Sequence, residues 1–433
     1  MTEADRDAGL VRAVGLWGLS ASIVSMIVGA GIFAVPGALA ANLGPYAPLA
    51  FVVCSVIIGS IAICFAEGGS RVPTSGGAYG YIEAAYGPFV GYVAGTLLWF
   101  SDALACASIA AALADVAVTL MPPPVRTAAH AAVILAVIGG IALVNIGGVS
   151  QGTRLVKVAT VLKLIPLVIF IIAGAAAVHV SNFTHAFTPN TVDLGRALIL
   201  AMFLFTGMET ALCASGEVVN PVRTIPRALI IAILSVTLLY VVIQFIAQGI
   251  VGSALSESTV PLADAMSRIS PALRLLMLAG AALSMFGCIS SDILGSPRIL
   301  FAFARDGLLP SVLGRVHSRT HAPHVAIICY AAIAIGFALA GNFAELAVLA
   351  TLTVAVVYIT ACVAAWHLAH RGIALAGAPL NFRRIGIAAA TGVTGMLVLI
   401  ALAARIEILG LILLVVVSAA IYLVQTRVSR LID

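Results

Sequence analysis

Apolar runs of bilayer-crossing length follow one another along nearly the whole chain, separated by short polar joints. They fall at about 14–40, 46–66, 89–120, 127–146, 155–178, 194–216, 228–252, 271–302, 325–340, 343–368, 385–404 and 406–424. A helix needs about 20 apolar residues to cross a bilayer. The pattern therefore predicts an all-α integral membrane protein with about 12 transmembrane helices and both termini on one side. The longest polar joints are "AEGGSRVPTSGGAYGYIEAAYGP" after the second run and "ARDGLLPSVLGRVHSRTHAPH" after the eighth. The first of these predicts a short interfacial helix.

Two runs carry helix-weakening residues at mid-depth. The first reads "SMIVGAGIFAVP", with Gly29-Ala30-Gly31 at its centre and Pro36 soon after. The sixth reads "LILAMFLFTGMETALCASGEVVNPVR", with Thr206-Gly207-Met208-Glu209 near its middle. In hydrocarbon each unpaired backbone group costs several kcal/mol, so a break is tolerated only where it lines a cavity or meets a ligand. Small residues also serve close helix packing. A matched pair of breaks, five spans apart, points instead to a transporter built from inverted repeats. The expected layout is one transporter domain over 1–433, with broken helices 1 and 6. Its 5+5 core has a first repeat at about 14–180 and a second at about 190–370, followed by two additional helices at about 385–425.

Composition narrows the class. The chain is 62% hydrophobic and 9% charged, with a mean hydropathy of +1.17, whereas about a quarter of the residues of a soluble domain are charged. A soluble enzyme is excluded. Of the 22 Lys and Arg residues, sixteen fall in segments on the side of the termini and five on the other. By the positive-inside rule both termini are cytoplasmic, in a multi-pass protein of the cell membrane. The net charge of +5 thus reflects topology, not a nucleic-acid partner.

Seven cysteines, Cys54, Cys64, Cys106, Cys213, Cys288, Cys329 and Cys362, are scattered singly in apolar runs and form no Cys-x-x-Cys pair. They read as small buried hydrophobes. His317, His321 and His324 lack an accompanying thiolate or carboxylate cluster and read as a solvated loop, so no metal is expected. "GALAAN" resembles a signal-cleavage site, but the apolar run before it is too long for a signal and more spans follow.

The breaks have an elementary chemistry. A helix restarting after Gly31 presents free N–H groups and the positive end of a dipole, which suit a carboxylate. The half-helix before a break ends in free carbonyls, which suit an ammonium. Two opposed breaks can clamp the backbone of an α-amino acid and leave its side chain to a separate pocket.

Four stretches then carry a family resemblance. "GAGIF", "AEGGSRVPTSGGAYGYIEAAYG", "FTGMETALCASGEVVNPVRTIPRA" and "GSPRILFAFARDGLLP" occur in this order, and through about the tenth span the chain resembles the permeases of the amino acid–polyamine–organocation superfamily. The resemblance implies that the amides of Ala30 and Gly31 hold a substrate carboxylate, and that the carbonyls of Ile27, Phe203 and Thr206 hold its amine. Phe203 aligns with an aromatic that caps the substrate in related antiporters, and is otherwise a packing aromatic. At Ala30 relatives have a serine, so a hydroxyl contact is missing here while the amide is kept. The side-chain pocket is implied to lie among the third, sixth, eighth and tenth spans.

Ionisable groups inside spans are functional candidates by default. Asp115 lies near the end of its span and reads as solvated. Lys163 aligns with a lysine that stands in sodium-independent members where sodium-coupled relatives bind the ion. It is expected to satisfy carbonyls freed at the first break together with the hydroxyls of Ser290 and Ser291, either as a fixed charge or by gaining and losing a proton. No sodium site and no cofactor are expected. Glu209 matches the acidic residue of the family's Gly-x-Glu, and either organises the second break, relays a proton, or does both. Asp292 either pairs with Lys163 or faces a cationic substrate. Asp102 lies at similar depth with no nameable partner. These two acids keep a basic amino acid or polyamine antiporter as the alternative.

No phosphate loop is present, so ATP does not drive the process. A channel would show a filter or ring of charges, a sensor a soluble output domain, and a membrane enzyme a catalytic set at depth. The sequence shows none of these. The expected function is secondary amino acid transport, proton-coupled or by exchange, with a small-molecule substrate and the bilayer as partners. The sequence carries no signal of oligomeric state.

Overall fold

The computed structural model describes residues 15–72, 78–119, 121–147, 163–184, 188–208, 218–305, 307–320, 322–375 and 379–432. Every regular element among them is a helix. Glu209, Cys213 and His321 lie outside the described residues.

The first apolar run yields α1 (Leu16–Ile27) and α2 (Gly31–Leu43), separated by Val28–Ala30. A tight turn at Gly44–Tyr46 leads into α3 (Ala47–Arg71). The polar joint after it holds α4 (Ala78–Tyr86), the short helix expected there. Then come α5 (Pro88–Val118), α6 (Arg126–Ile146) and α7 (Leu164–Gly174). Proline opens α5 because the first helical N–H has no partner to lose. The first half of the sixth run is α8 (Thr191–Phe203), whose start is fixed by Asn190 accepting from the amides of Val192 and Asp193, both at 2.9 Å.

The second half of the chain contributes α9 (Pro221–Val251), α10 (Pro261–Ser267), α11 (Pro271–Gly295) and α12 (Pro297–Arg305). It ends with α13 (His324–Ala340), α14 (Phe343–His370), α15 (Ile385–Leu402) and α16 (Arg405–Ile432). The eighth apolar run thus bends at Ser296 instead of running straight to about 302. A capping box of Asn342 and Glu345 sets the start of α14.

Eight helical stretches among the described residues are long and apolar enough to cross a membrane, one of them Gly31–Arg71 with its turn at Gly44. Three shorter apolar helices, Leu16–Ile27, Leu164–Ala177 and His324–Ala340, lie beside them. The most apolar windows of α5 and α14 are 78% and 72% buried, against 11% for the α16 region. So α5 and α14 form the centre, packed on each other, with α3, α11 and α15 around them. Outward-facing Ile172, Leu234, Leu238, Ile406 and Leu413 are more than half exposed in the isolated chain. In a membrane protein that apolar surface belongs to lipid.

Candidate substrate site at two facing helix breaks

Two chain breaks meet in the interior. The α1 ladder ends with Val28 N–H donating to the Val24 carbonyl at 2.8 Å. The chain then leaves helical geometry at Val28, with ψ of 86°, and resumes it at Gly31. The N-cap residue of α2, Ala30, has no side chain that could cap it, and its own N–H points to the Cys288 sulfur. The amide of Gly31, next in line at the helix start, is the kind of donor that binds an anion.

The second break follows α8. Residues Leu204–Gly207 form tight turns, and Gly207 has φ of +100°, a backbone region that an L side chain rarely adopts. A Cβ at Gly207 would sit 3.3 Å from the Met26 carbonyl, and one at Gly31 would sit 3.0 Å from Leu204 Cδ1 and 3.6 Å from Phe203 Cδ1. The two breaks are thus in direct contact, and glycine is what lets them approach. The Phe203 ring also packs edge-on against Phe343 at the start of α14, with centroids 6.1 Å apart.

The expected carbonyl set changes in detail. The Phe203 carbonyl accepts from Thr206 Oγ1 at 2.7 Å and from Thr206 N–H at 3.3 Å. A substrate amine at this carbonyl would share it with Thr206, whose hydroxyl can rotate away. Among the described residues the Ile27 carbonyl accepts one hydrogen bond, from the Tyr240 hydroxyl at 3.0 Å, and retains a second lone pair. That same hydroxyl lies 3.2 Å from the Leu204 carbonyl. Tyr240, on α9 and fully buried, therefore ties the two breaks together. Its single proton is shared between two carbonyls that the breaks release.

Lys163 is 7% exposed and donates from Nζ to the Ser25 carbonyl. In an unbroken helix that carbonyl would accept from residue 29, so the ammonium occupies the place of a lost helical bond. The Ser290 hydroxyl donates to the Phe286 carbonyl one turn back, at 2.7 Å, which leaves its oxygen lone pairs free to accept. Ser291 is half-buried on the same helix. Cys288 fills the space beside the first break, 3.5 Å from where a Gly29 Cβ would lie.

Asp292 lies close to Cys106, Cys288 and Tyr330. Asp102 acts on Cys106 and Tyr330 as well. It also gains the partner that the sequence did not name, accepting from Ser296 Oγ at 2.7 Å at the bend between α11 and α12. The two acids thus share a buried neighbourhood between α5, α11 and α13. Among the described residues no group of three or more His, Cys, Asp or Glu is placed to hold a metal.

The amino acid permease family matches residues 14–429. An uncharacterised transporter of Mycobacterium tuberculosis is 31% identical over 75% of this chain and 73% of its own length. A serine/threonine exchanger of Bacillus subtilis is 28% identical over 84% of this chain and 85% of its own. A branched-chain amino acid permease of the same organism is 26% identical, over 74% and 73%.

Proposed function

This chain belongs to the amino acid permease family of the amino acid–polyamine–organocation superfamily, and from that premise we propose a secondary active transporter. It moves amino acids across the cytoplasmic membrane by alternating access, without sodium, coupled to protons or by exchange. The observation that carries the reading is the contact of the two breaks, Gly207 against Met26 and Gly31 against Leu204. Around that contact, the α2 N-terminus suits a carboxylate and the remaining lone pair of Ile27, with the Thr206 carbonyl, suits an ammonium. The assignment of Ala30, Gly31, Ile27, Thr206 and the Phe203 ring to substrate follows from this chemistry. The repeat layout, 5+5 with two further helices, and cytoplasmic termini belong to the same reading.

Lys163 supports sodium independence, because its ammonium already holds a carbonyl that a cation would otherwise take. Glu209, placed by sequence just after the second break, is assigned to organising that break and to proton transfer, and Glu209→Ala is expected to abolish transport. Relatives named for serine/threonine exchange and branched-chain transport favour a neutral amino acid as substrate.

A second reading, a basic amino acid or polyamine antiporter, rests on Asp102 and Asp292 in the shared neighbourhood described above.

Counterflow in proteoliposomes tests both readings. Labelled serine, leucine and lysine are offered against an internal pool of each amino acid or of putrescine, in sodium and in choline. Trans-stimulated uptake that survives choline is expected, with serine or leucine preferred. Preference for lysine or putrescine selects the second reading. Strict sodium dependence overturns the role given to Lys163, and absence of trans-stimulation with every substrate overturns the carrier.

A further inference from the structure

Beyond the breaks, α9 carries a polar stripe that the binding site does not use. Tyr240, Gln244 and Gln248 are spaced by four residues, so they lie on one face of that helix. They track α2 as both helices advance: Tyr240 meets the break at Ile27, and Gln244 Nε2 donates to the Pro36 carbonyl at 3.2 Å. Gln248 reaches the end of α2, where it lines a cavity of about 120 Å³ together with Ala40, Ala41, Gly44, Pro45 and Asn182. Exposed Ser253 and Ser256 form the rim of that cavity.

Gln244 is 0% and Gln248 2% exposed, and neither Oε1 has a donor among the described residues. A buried amide oxygen left without a partner costs about 1–3 kcal/mol. For Gln248, which lines the cavity, the available donor is water, and the cavity has room for it; Gln244 lies one helical turn away along the same face and is reached only when the seam parts. An apolar seam resists being opened to water, whereas one lined by amide oxygens gains hydrogen bonds when opened.

The movable partner is α2. It is a 13-residue helix with the unwound Val28–Ala30 at one end and Gly44, with φ of 51°, at the other. At Gly37 its backbone packs directly on the carbonyls of Leu255 and Ser258. On the side of α9, Gln244 hydrogen-bonds the α2 backbone.

We propose that Gln244 and Gln248 are positioning residues for transport: they form a hydratable latch on α2 whose wetting releases that half-helix and opens the substrate site on the cavity side. This rests on the carrier reading above. Replacing both amides with methionine keeps the volume, removes the oxygens that water would reward, and favours the closed seam.

The test compares the parent protein with Gln244→Met/Gln248→Met, each with and without Ala40→Cys, since Ala40 lines the cavity and is 5% exposed. Three measurements are made: counterflow turnover and KM, the Tm of the detergent-purified protein, and the rate at which a water-soluble thiol reagent modifies the added cysteine above the parent background. The latch predicts about tenfold slower turnover with KM within twofold, about tenfold slower modification, and an unchanged or higher Tm. Parental turnover and modification rates overturn it. So does slow turnover with a lowered Tm and faster modification, which is the behaviour of amides that only hold the helices together. Should the double variant fail to fold, Gln248→Met is judged by the same three readouts. A parent that shows no trans-stimulation removes the carrier reading, while the modification rates still decide whether the seam opens.

Discussion

Two polar regions inside this protein are built on opposite rules. At the breaks, backbone groups are released and only partly reclaimed, by Tyr240 and Lys163. At the end of α3, polar groups are buried and closely paired. Glu67 and Arg71 are 0% and 3% exposed and joined at 2.7 Å. Arg71 donates to Asn381 Oδ1 at 2.7 Å and to the Ile373 carbonyl at 3.1 Å. The second Glu67 oxygen accepts from Phe382 N–H at 3.0 Å, and Ser70 Oγ accepts from Leu380 N–H at 3.1 Å. The Arg71 carbonyl accepts from Leu375 N–H at 2.8 Å. This clasp fixes the connection between α14 and α15 onto α3. Satisfied networks rigidify. Unsatisfied backbone is reserved for a ligand. The difference separates a frame from a site.

The largest expected effect therefore lies in the clasp, far from substrate. Arg71→Ala leaves the Glu67 carboxylate buried without its cation, a change that costs about 3–5 kcal/mol in buried pairs. We expect Tm of the purified protein to fall by about 10 °C, on the scaling of a few degrees per kcal/mol for domains of moderate size. Little monodisperse material should survive size-exclusion chromatography. The double variant Glu67→Ala/Arg71→Ala should lose less than the sum of the two singles, since the orphaned charge is gone. Additive losses would show that the pair is not coupled and that the clasp is mere packing.

At the breaks the ranking inverts, with function lost and stability kept. Gly31→Val places a branched side chain against Leu204 Cδ1, the far end of a flexible side chain that can give way. It also fills the space in front of the α2 amides. Stability should drop by only about 1–2 kcal/mol, within the range of a typical substitution. Counterflow should fall at least about a hundredfold, and amino acids should no longer raise Tm as a ligand does by mass action. Retained ligand stabilisation in Gly31→Val would move the binding site elsewhere.

Much of the site was legible in the sequence because a break announces itself by composition. Gly29, Gly31 and Gly207 stand out in apolar runs, and so does Lys163. The short helix α4 and the eight span-length helical stretches among the described residues were likewise visible, as apolar runs between polar joints. What was hidden depends on which atoms meet across the fold. The back-bond of Ser290 to its own helix and the double use of the Phe203 carbonyl by Thr206 follow from rotamers, which no spacing rule fixes. Ser296 as partner of Asp102 joins residues 194 positions apart. Tyr240 was missed although "YVVIQFIAQ" offered a signal: polar residues at four-residue intervals inside a span mark one buried face. The clasp had its own, Glu-x-x-x-Arg in "AEGGSR", a helical pair spacing.

Tyr240→Phe sits between frame and site and should give the smallest effect. The ring stays, packed against Phe51 and Phe205 with centroids 5.3 Å and 5.6 Å away, so no cavity forms. What disappears is one proton shared by the Ile27 and Leu204 carbonyls. A single net hydrogen bond is worth about 0.5–1.5 kcal/mol, so Tm should move by no more than a few degrees. Transport responds differently, because that proton sets the distance between the two halves of the clamp. If the bridge holds the breaks in register, Tyr240→Phe should slow counterflow about tenfold and raise KM several-fold, since a misplaced clamp binds and turns over less well. A variant with parental KM and turnover would show that the contact of Gly207 with Met26 is enough to align the breaks. A variant that loses ten degrees or more of Tm would instead place Tyr240 with Glu67 and Arg71, as part of the frame.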